Sequence, residues 1–494
     1  MRPLVLSLDL GTSSSRAIVW SPEGEPLAHS QVPLGSSFPE PGWVEQDPEE
    51  IWATAVRAAR QALAQAGVPA TQVAAVGLAN QRETTLLWER DSGRPLHPAI
   101  VWQDRRTAAL CADWRQQGWA PRIADRTGLR LDPYFSASKL AWLLEHLPGA
   151  RARARTGALC FGTVDTWFLY RATGGRVHAT DVSNASRTLL LDIHHLAWDP
   201  DILAAMDIPA ALLPAVRPTT GPFGTLDPEV LGAAVPVTAM VGDQQAALFG
   251  QACLDAGSAK NTYGTGAFLM AQAGADPVRA PDLLQTVAWK LADGPAAYAL
   301  EAPAFVAGAA LDWLAGILDL PGTGALLAMA STVGDTAGVA FVPALAGLGA
   351  PQWDPGARGL FIGLHRGATR AHLARAASES LAFQTRAATA LMAAAGVPPA
   401  ELRVDGGVTA SPFFLQMQAD VLGVPVVRSA LAEATAWGAG LLAGVGAGLW
   451  PADHARRGWR PGPRIAPGTG NQGLAERYGT WQLAVQRSLG WDPA

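Results

Sequence analysis

Two strand-turn-strand units rich in Gly, Thr and Ser constrain this chain most, because one stands at the head of each half of the sequence. In the first half, a strand over Leu4–Leu10 leads through the turn Gly11–Ser15 into a second strand over Arg16–Trp20. In the second half, a strand ending at Tyr263 leads through Gly264-Thr265-Gly266 into an apolar run. Such turns present amides and hydroxyls to a phosphate, although one alone is weak evidence. The pair predicts two domains with a phosphate-bearing ligand held between them.

Asp243 stands at the end of an apolar, β-rich run just before the second of these turns. The run covers Val235–Val241, and Gln244–Phe249 then follows with helical spacing. In open α/β sheets, ligands bind outside the carboxyl ends of the strands, so the carboxylate is expected in a crevice. Position alone favours a simple helix N-cap. The acid and the glycine turn together indicate a phosphoryl-transfer site.

A third glycine turn, Leu402–Gly407, precedes a helical pattern over Phe413–Leu422. A strand, a glycine pair and a helix start suit the nucleoside end of a ligand, although an ordinary βα connection has the same pattern. Asp9 lies at the end of the first strand beside its turn. A divalent ion bridging phosphates needs an oxygen ligand there, and the alternative is that Asp9 caps the turn.

Polar residues follow two further β-rich runs. Val73–Leu78 meets Asn80–Thr85, and Ala99–Trp102 meets Gln103–Arg106. Arg82 beside Glu83 can donate and accept hydrogen bonds to neighbouring hydroxyls, and Trp102 can pack on a carbon backbone. These groups predict a site for a small polyol. Spacing alone slightly favours a surface ion pair between the two charged residues.

Composition limits the classes of function. The chain has 494 residues, 49% of them hydrophobic and 16% charged, which predicts a compact protein of two or three domains. A net charge of −5 without charge blocks argues against nucleic acid and anionic membrane surfaces as partners. The cysteines lack metal or disulfide spacing, the N-terminus lacks a cleavage site, and the most apolar later stretch is too short for a bilayer. We therefore expect a cytoplasmic protein without membrane insertion.

Lysine is rare in this sequence. Lys139, Lys260 and Lys290 are the only lysines among 37 basic residues, which indicates a drift towards arginine. Arginine and lysine differ in geometry and hydration, so a retained lysine can have a role that arginine does not fill. Chance retention explains three lysines equally well.

Eight motifs in the same order resemble those of the FGGY family of carbohydrate kinases. They are NQRETT (80–85), IVWQDRR (100–106), DPYFSASKLAW (132–142), GTVDTW (162–167), SNASRT (183–188), GDQQAALFGQ (242–251), KNTYGTG (260–266) and GLGAPQWDPGARG (347–359). The resemblance runs from Leu4 to about Trp450, and NQRETT, IVWQDRR and GDQQAALFG point to the branch that acts on glycerol. It implies ATP-dependent phosphorylation of glycerol to sn-glycerol 3-phosphate, with ATP and Mg²⁺ as cofactors.

The resemblance also implies an α/β fold with two ribonuclease H-like domains of the actin and hexokinase type, which close over a cleft. We expect a first domain over 1–250 with the polyol site and first phosphate loop. A second domain over 251–450 is expected to carry the second phosphate loop and the adenosine site, and an extension with a final helix follows over 451–494. A homo-oligomer is expected, with the choice between dimer and tetramer open.

Residue roles carry over from the resemblance position by position. Asp243 is implied as the general base. The implied glycerol contacts are Arg82, Glu83, Trp102, Tyr134, Asp243, Gln244 and Phe268. The implied nucleotide contacts are Thr12, Ser13, Ser14, Arg16, Thr265, Gly266, Gly308, Asp312, Gly407 and Ser411. Asp9 matches the magnesium-associated acid.

Several positions depart from the usual pattern of the glycerol branch, among them Ala302-Pro303, which replaces a usual Gly and small residue. Leu10 replaces a usual Gln, and Asp312 and Ser411 replace a usual Gln and Asn near the adenine. Leu10 is common in the sugar branches, so an FGGY kinase for another polyol or a ketose, of the xylulose, ribulose or erythritol type, is the second hypothesis. The third is a non-catalytic nucleotide-binding regulator on the same fold.

Overall fold

A computed structural model describes residues 3–431, 433–468 and 473–492. The strands of the first half are β1 Leu4–Leu10, β2 Ser14–Trp20, β3 Pro26–Pro33, β4 Glu45–Gln46, β5 Val73–Asn80, β6 Leu86–Glu89, β7 Ala99–Ile100, β8 Leu159–Gly162, β9 Ala179–Asp181, β10 Leu191–Asp192, β11 Ala197–Trp198, β12 Ala215–Arg217, β13 Thr220–Thr225 and β14 Pro236–Gly242. Its helices are α1 Pro48–Ala66, α2 Ala108–Gln116, α3 Trp119–Thr127, α4 Ser136–His146, α5 Ala150–Arg155, α6 Val164–Ala172, α7 Val182–Ala185, α8 Pro200–Ala205, α9 Pro228–Leu231 and α10 Asp243–Gly250.

The second half continues in the same numbering. Its strands are β15 Ala259–Tyr263, β16 Ala267–Gly274, β17 Leu284–Lys290, β18 Ala296–Ala304, β19 Ala340–Val342, β20 Leu360–Ile362, β21 Leu402–Asp405, β22 Val426–Ser429 and β23 Pro461–Ile465. Its helices are α11 Gly308–Ile317, α12 Thr323–Ala330, α13 Arg370–Ala394, α14 Pro412–Leu422, α15 Ala434–Gly446, α16 His454–Gly458 and α17 Leu474–Ser488.

Two large sheets share one plan. The first has the order β13-β14-β5-β1-β2-β3, with β14, β5 and β1 parallel and an antiparallel hairpin of β1 and β2. The second has the order β17-β18-β16-β15-β21-β22-β23, with β15, β21 and β22 parallel and an antiparallel hairpin of β15 and β16. Both predicted hairpins are therefore present, one in each sheet.

Parallel pairing brings the carboxyl ends of neighbouring strands together. Gly242 at the end of β14 pairs with Asn80 at the end of β5, and Leu10 at the end of β1 also pairs with Asn80. Every residue of β1 is buried, because helices cover both faces of the sheet. The polar residues that follow these three strands consequently share one edge, which faces the second sheet.

Helix α15 packs on the first sheet although it follows β22 of the second. It contacts β1, β5, β14 and α10, and its apolar residues belong to the same buried cluster as Val5 and Ala75. Glycines allow this approach: a Cβ on Gly77 of β5 would lie 2.1 Å from the Ala439 carbonyl oxygen, and one on Gly438 would lie 1.9 Å from that of Ala246. The helix therefore rests directly on neighbouring backbone.

The Pro/Gly/Arg-rich stretch from Trp450 to Gly473 contains regular structure. Strand β23 pairs antiparallel with β22 at the edge of the second sheet, where proline is tolerated because an edge strand leaves amides unpaired. The predicted final helix is present as α17, with Trp481 and Val485 buried. In the described ranges, no helix is both long and apolar enough to cross a membrane.

We expect Gly438→Ala to destabilise the protein by about 1–3 kcal/mol, because the added methyl group has no space against α10. Gly316→Ala is the control, because this exposed glycine of α11 has nothing within 4 Å of an added Cβ. Since alanine favours a helix more than glycine does, the melting temperature of this variant should be unchanged or slightly higher. Calorimetric melting temperatures of both variants check the prediction. Equal values would contradict the tight contact between α10 and α15.

Candidate active site

A cavity of about 400 Å³ lies between the two sheets at the strand ends. All seven residues implied as polyol contacts line it: Arg82, Glu83, Trp102, Tyr134, Asp243, Gln244 and Phe268. The remaining lining residues are Thr12, Ser13, Gln103, Thr262, Gly264, Thr265, Gly266 and Phe305. The residues of the polyol hypothesis are therefore brought together with both glycine turns.

Asp243 is the first residue of α10 and is not its N-cap, which is Gly242. The Asp243 side chain remains 25% exposed, and its Oδ1 lies 3.2 Å from Nε of Arg82. This contact follows from the parallel pairing of β5 and β14, after which the two residues stand. A carboxylate at the cavity wall, held by an arginine, can accept a proton from a bound hydroxyl.

Glu83 has left-handed backbone geometry, with φ of 63°. A side chain in this region is strained, so surrounding contacts must hold it. Its carbonyl oxygen accepts hydrogen bonds from the hydroxyls of Thr85 and Ser136, each at 3.0 Å. These two hydrogen bonds hold the Glu83 backbone in this geometry, with its side chain in the cavity wall.

Arg82 and Glu83 do not form a surface ion pair, so the interpretation that spacing slightly favoured is wrong. Both residues are buried, at 3% and 1% exposure, and each pairs with a different partner. Arg82 donates to both carboxylate oxygens of Glu301, at 2.6 and 2.9 Å, while Arg187 donates to Glu83 Oε1 at 2.6 Å. Local spacing suggested an exposed pair, but both side chains are buried inside the site and paired with distant residues.

These buried charges compensate one another. Burial alone would raise the pKa of Glu301, but Arg187 and Arg82 outweigh burial and lower the pKa to about 2. For Glu83, burial outweighs the attraction of Arg187 and Arg82, so its pKa is raised. Glu301 is thus firmly ionised at the centre of the group.

Four aromatic rings form the apolar wall. The Trp102 ring centroid lies 5.7 Å from that of Tyr134 and 6.1 Å from that of Phe268, and Tyr134 lies 6.0 Å from Phe305. Burial raises the pKa of the Tyr134 hydroxyl, so it remains a neutral donor. Apolar rings with a few polar groups between them match a ligand that has a carbon chain and hydroxyls.

Lys139 holds the segment that carries Tyr134. Its fully buried ammonium group donates to the carbonyl oxygens of Pro133, Tyr134 and Phe135, at 2.6, 2.7 and 3.3 Å. Burial lowers the pKa of Lys139 to about 8, which leaves the three-proton form predominant at neutral pH. Three protons match three acceptors, so this retained lysine has a structural role.

The first glycine turn contributes Thr12 and Ser13 to the cavity. Trp102 Nε1 donates to the Thr12 hydroxyl at 2.9 Å and so ties the turn to the aromatic wall. Ser14 and Arg16 lie behind the turn: the Ser14 hydroxyl accepts from Gln31, and Arg16 donates to Glu433 at 2.6 Å. Neither residue lines the cavity.

Asp9 lies at the end of β1, behind the same turn. Burial raises the pKa of Asp9 to about 7, Arg16 opposes that rise at 3.5 Å, and Asp243 and Glu433 add to it. Among the residues that the structure describes, no three His, Cys, Asp or Glu side chains gather as a metal site. Magnesium commonly binds through one or two carboxylates plus substrate phosphates, and an incompletely compensated carboxylate at Asp9 fits that kind of site.

A second cavity, of about 690 Å³, adjoins the first at Gly264 and Thr265, which line both. Gly308, Asp312, Gly407 and Ser411, four of the implied nucleotide contacts, line it, while Gly266 lines only the smaller cavity. The Asp312 carboxylate accepts a hydrogen bond from Thr323 at 2.5 Å, and the Ser411 hydroxyl caps α14. Two cavities that share one glycine turn suit two substrates that exchange a group there.

Three residues of the site, Lys260, Glu301 and Arg187, were given no contact in the prediction from sequence. Lys260 is fully buried, donates to Gln244 Oε1 and to the Thr262 hydroxyl at 3.1 Å, and has its pKa lowered to about 8 by burial. Its survival among few lysines was the available signal. Glu301 and Arg187 were missed, although a charged residue inside an apolar strand, as in AAYALEAPA (296–304), signals a buried partner.

Comparisons with known proteins agree with this geometry. The N-terminal domain model of the FGGY family of carbohydrate kinases matches residues 4–250, and the C-terminal domain model matches residues 259–447. The chain belongs to the FGGY family of carbohydrate kinases. The resemblance carried by the eight motifs is thereby confirmed, and membership of a kinase family implies ATP use.

Glycerol kinases match this FGGY kinase over nearly its whole length. Those of Methylibium petroleiphilum and Thermus brockianus are each 53% identical to it, over 98% and 99% of this chain and 99% of each relative. The crystal structure of Plasmodium falciparum glycerol kinase with ADP matches with a TM-score of 0.91 and 31% identity, covering 99% of this chain and 98% of that one. The predicted α/β fold of two actin-like domains is confirmed.

We expect Lys139→Met to weaken acceptor binding more than turnover, because the Tyr134 segment loses its three hydrogen bonds. Loss of bonds to a charged donor should also destabilise the protein by about 1.5–3 kcal/mol. Lys290→Met is the control, since Lys290 donates to the single carbonyl of Gly294 at the end of β17, outside both cavities. Steady-state kinetics and melting temperatures check both variants. An unchanged acceptor KM in Lys139→Met would contradict the role assigned to Lys139.

Proposed function

We propose that this FGGY kinase transfers the γ-phosphoryl group of ATP to a terminal hydroxyl of glycerol, giving ADP and sn-glycerol 3-phosphate. The observation that carries the proposal is the junction of the two cavities at Gly264 and Thr265. One cavity offers aromatic rings and charged hydrogen-bonding groups to a small polyol. The other has the size and glycine-rich lining of a nucleotide site. Relatives that share half of the sequence are glycerol kinases.

Glycerol recognition rests on groups that bond each hydroxyl. Arg82 donates, Glu83 accepts, and Tyr134 does either, while Trp102 and Phe268 contact the carbon chain. A site that bonds every hydroxyl rejects an analogue that lacks one, since its own buried groups are left unpaired.

Asp243 is the proposed general base. The acceptor oxygen forms a bond to the γ-phosphorus, the bond from that phosphorus to the β,γ-bridging oxygen breaks, and ADP leaves with the electron pair. The acceptor proton passes to the Asp243 carboxylate late in the reaction. Positioning and charge neutralisation supply most of the rate enhancement in such transfers.

The phosphate groups of ATP are proposed to lie against the two turns. Thr12, Ser13, Thr265 and Gly266 offer hydroxyls and amides, and Gly308, Asp312, Gly407 and Ser411 contact the nucleoside end. Ser14 and Arg16 support the first turn from behind. Asp9 would hold Mg²⁺, which when bound neutralises phosphate charge.

We expect Asp243→Asn to fold normally and to lose most activity. General-base catalysis contributes on the order of 10² to 10⁴ in rate, and the amide cannot accept the proton. Asp319→Asn, an exposed change on a left-handed residue that Asn tolerates, is the control and should retain full turnover. ADP release measures both. Retention of more than about a tenth of wild-type turnover by Asp243→Asn would sink the assignment, given that range.

We expect glycerol to stimulate ADP release more than dihydroxyacetone, erythritol, xylulose or ribulose. Part of the 400 Å³ cavity is lined by the two glycine turns, and the remaining volume beside the polyol residues suits a short acceptor. kcat/KM for each acceptor is the measurement. A pentulose that exceeds glycerol would favour another FGGY kinase, and no stimulation by any acceptor would favour a non-catalytic regulator.

A further inference from the structure

Glu301 is fully buried in the middle of β18, in the second sheet. It stands opposite Met270 of β16 and Leu284 of β17. Its carboxylate nevertheless reaches across the cleft to two arginines of the first domain. Arg82 donates to it at 2.6 and 2.9 Å, and Arg187 donates to it through Nη2 at 3.3 Å, with Nη1 of Arg187 at ion-pair distance, 3.3 Å, from the other carboxylate oxygen.

Glu301 is the centre of a continuous series of ion pairs. On one side Arg82 also contacts Asp243 at 3.2 Å, and on the other Arg187 contacts Glu83 at 2.6 Å. The Arg187 guanidinium further lies 5.5 Å from the ring centroid of Tyr134. The polar groups proposed to read and activate the acceptor therefore connect through Glu301, which itself does not line the cavity.

We propose that Glu301 is a positioning residue of the acceptor site, which orients Arg82 and Arg187 and thereby Asp243 and Glu83. The inference rests on the proposed transfer to a polyol. It assigns acceptor affinity to a residue of the second domain, so that the acceptor site is complete only where β18 meets the strand ends of the first sheet.

The geometry of the Arg82 pair supports an orienting role. A carboxylate that receives both terminal nitrogens fixes the plane of a guanidinium, which a single contact does not. With the two terminal nitrogens held by Glu301, the Nε side of Arg82 is turned to Asp243. A glutamine at 301 would present a donor to one arginine nitrogen, so the two-point contact would be lost.

A purely structural role is the alternative, because removal of one partner destabilises any buried ion pair. The chain supplies a matched control in Glu379 of α13. Glu379 is 1% exposed and pairs with two arginines, Arg375 and Arg477, each at 2.9 Å. It lies outside both cavities. Glu379→Gln therefore reproduces the loss of a buried, doubly paired carboxylate without touching the acceptor site.

The experiment compares Glu301→Gln with Glu379→Gln by melting temperature, kcat, KM for glycerol and KM for MgATP. We expect both variants to melt lower, and only Glu301→Gln to raise the glycerol KM, on the order of 10- to 100-fold, which corresponds to one lost bond to a charged group. KM for MgATP should change little. Equal glycerol KM values in the two variants would overturn the proposal.

Two further variants separate positioning from folding. Glu301→Asp keeps the negative charge but is one methylene too short to hold both arginines, so it should raise the glycerol KM with a smaller loss of stability. Arg82→Lys combined with Glu301→Gln should raise the KM no further than the larger single effect, because both act on one contact. Additive effects on KM would overturn the proposal.

The proposed function and this inference fail in different ways. If wild-type protein prefers another acceptor, glycerol phosphorylation is wrong, and the same KM comparison is then made with the preferred acceptor. If glycerol is preferred but its KM is indifferent to Glu301→Gln, the positioning role alone is wrong.

Discussion

The position of one domain relative to the other depends on the buried ion pairs between Arg82, Glu301, Arg187 and Glu83. Burying an isolated charge costs several kcal/mol of stability, so each of these four charged side chains can be buried only because it is paired with an opposite charge. Three of them follow strands or helices of the first domain, and Glu301 belongs to the second sheet. The two domains must therefore meet at the separation that pairs the charges. The acceptor cavity lies between the two sheets, so its dimensions depend on that separation.

The glycine turn after β15 positions the second cavity, on the proposed nucleotide side of the site. A Cβ on Gly308 would lie 2.5 Å from the Gly264 carbonyl oxygen, so α11 begins directly against the turn. The Gly308 amide donates to that oxygen at 3.0 Å. Because Gly264 and Thr265 line both cavities, the turn lies between the cavity proposed for the nucleotide and the cavity proposed for the acceptor. Tight backbone packing, rather than a long side chain, therefore places the two cavities next to each other.

The strands and helices that depend on local sequence patterns were predicted correctly. Strands β1, β5 and β14 and helices α10 and α14 follow from apolar runs that are ended by Gly or Asn, and the structure places them within two residues of the predicted bounds. The partners of Arg82 and Glu83 were not predictable in this way. Glu301 reaches them because β18 returns antiparallel beside β16, a pairing between distant segments that periodicity does not encode. Likewise no strand was predicted in the proline-rich segment around β23, since proline signals a break unless the strand lies at a sheet edge.

Neutrality explains why a site rich in charge suits an uncharged polyol. Two guanidiniums and two carboxylates, in the acceptor wall and directly behind it, sum to zero charge, so hydroxyls meet strong donors and acceptors without an excess charge from this group. Asp243 is the charge added to that balanced group, and it faces the turn that the phosphates are proposed to contact. A neutral acceptor leaves the charge balance of this group unchanged, whereas a charged acceptor would alter it. Neutralisation of the phosphate charge is thus left to groups outside this wall, and the acceptor site remains free to discriminate by the number and position of hydroxyls.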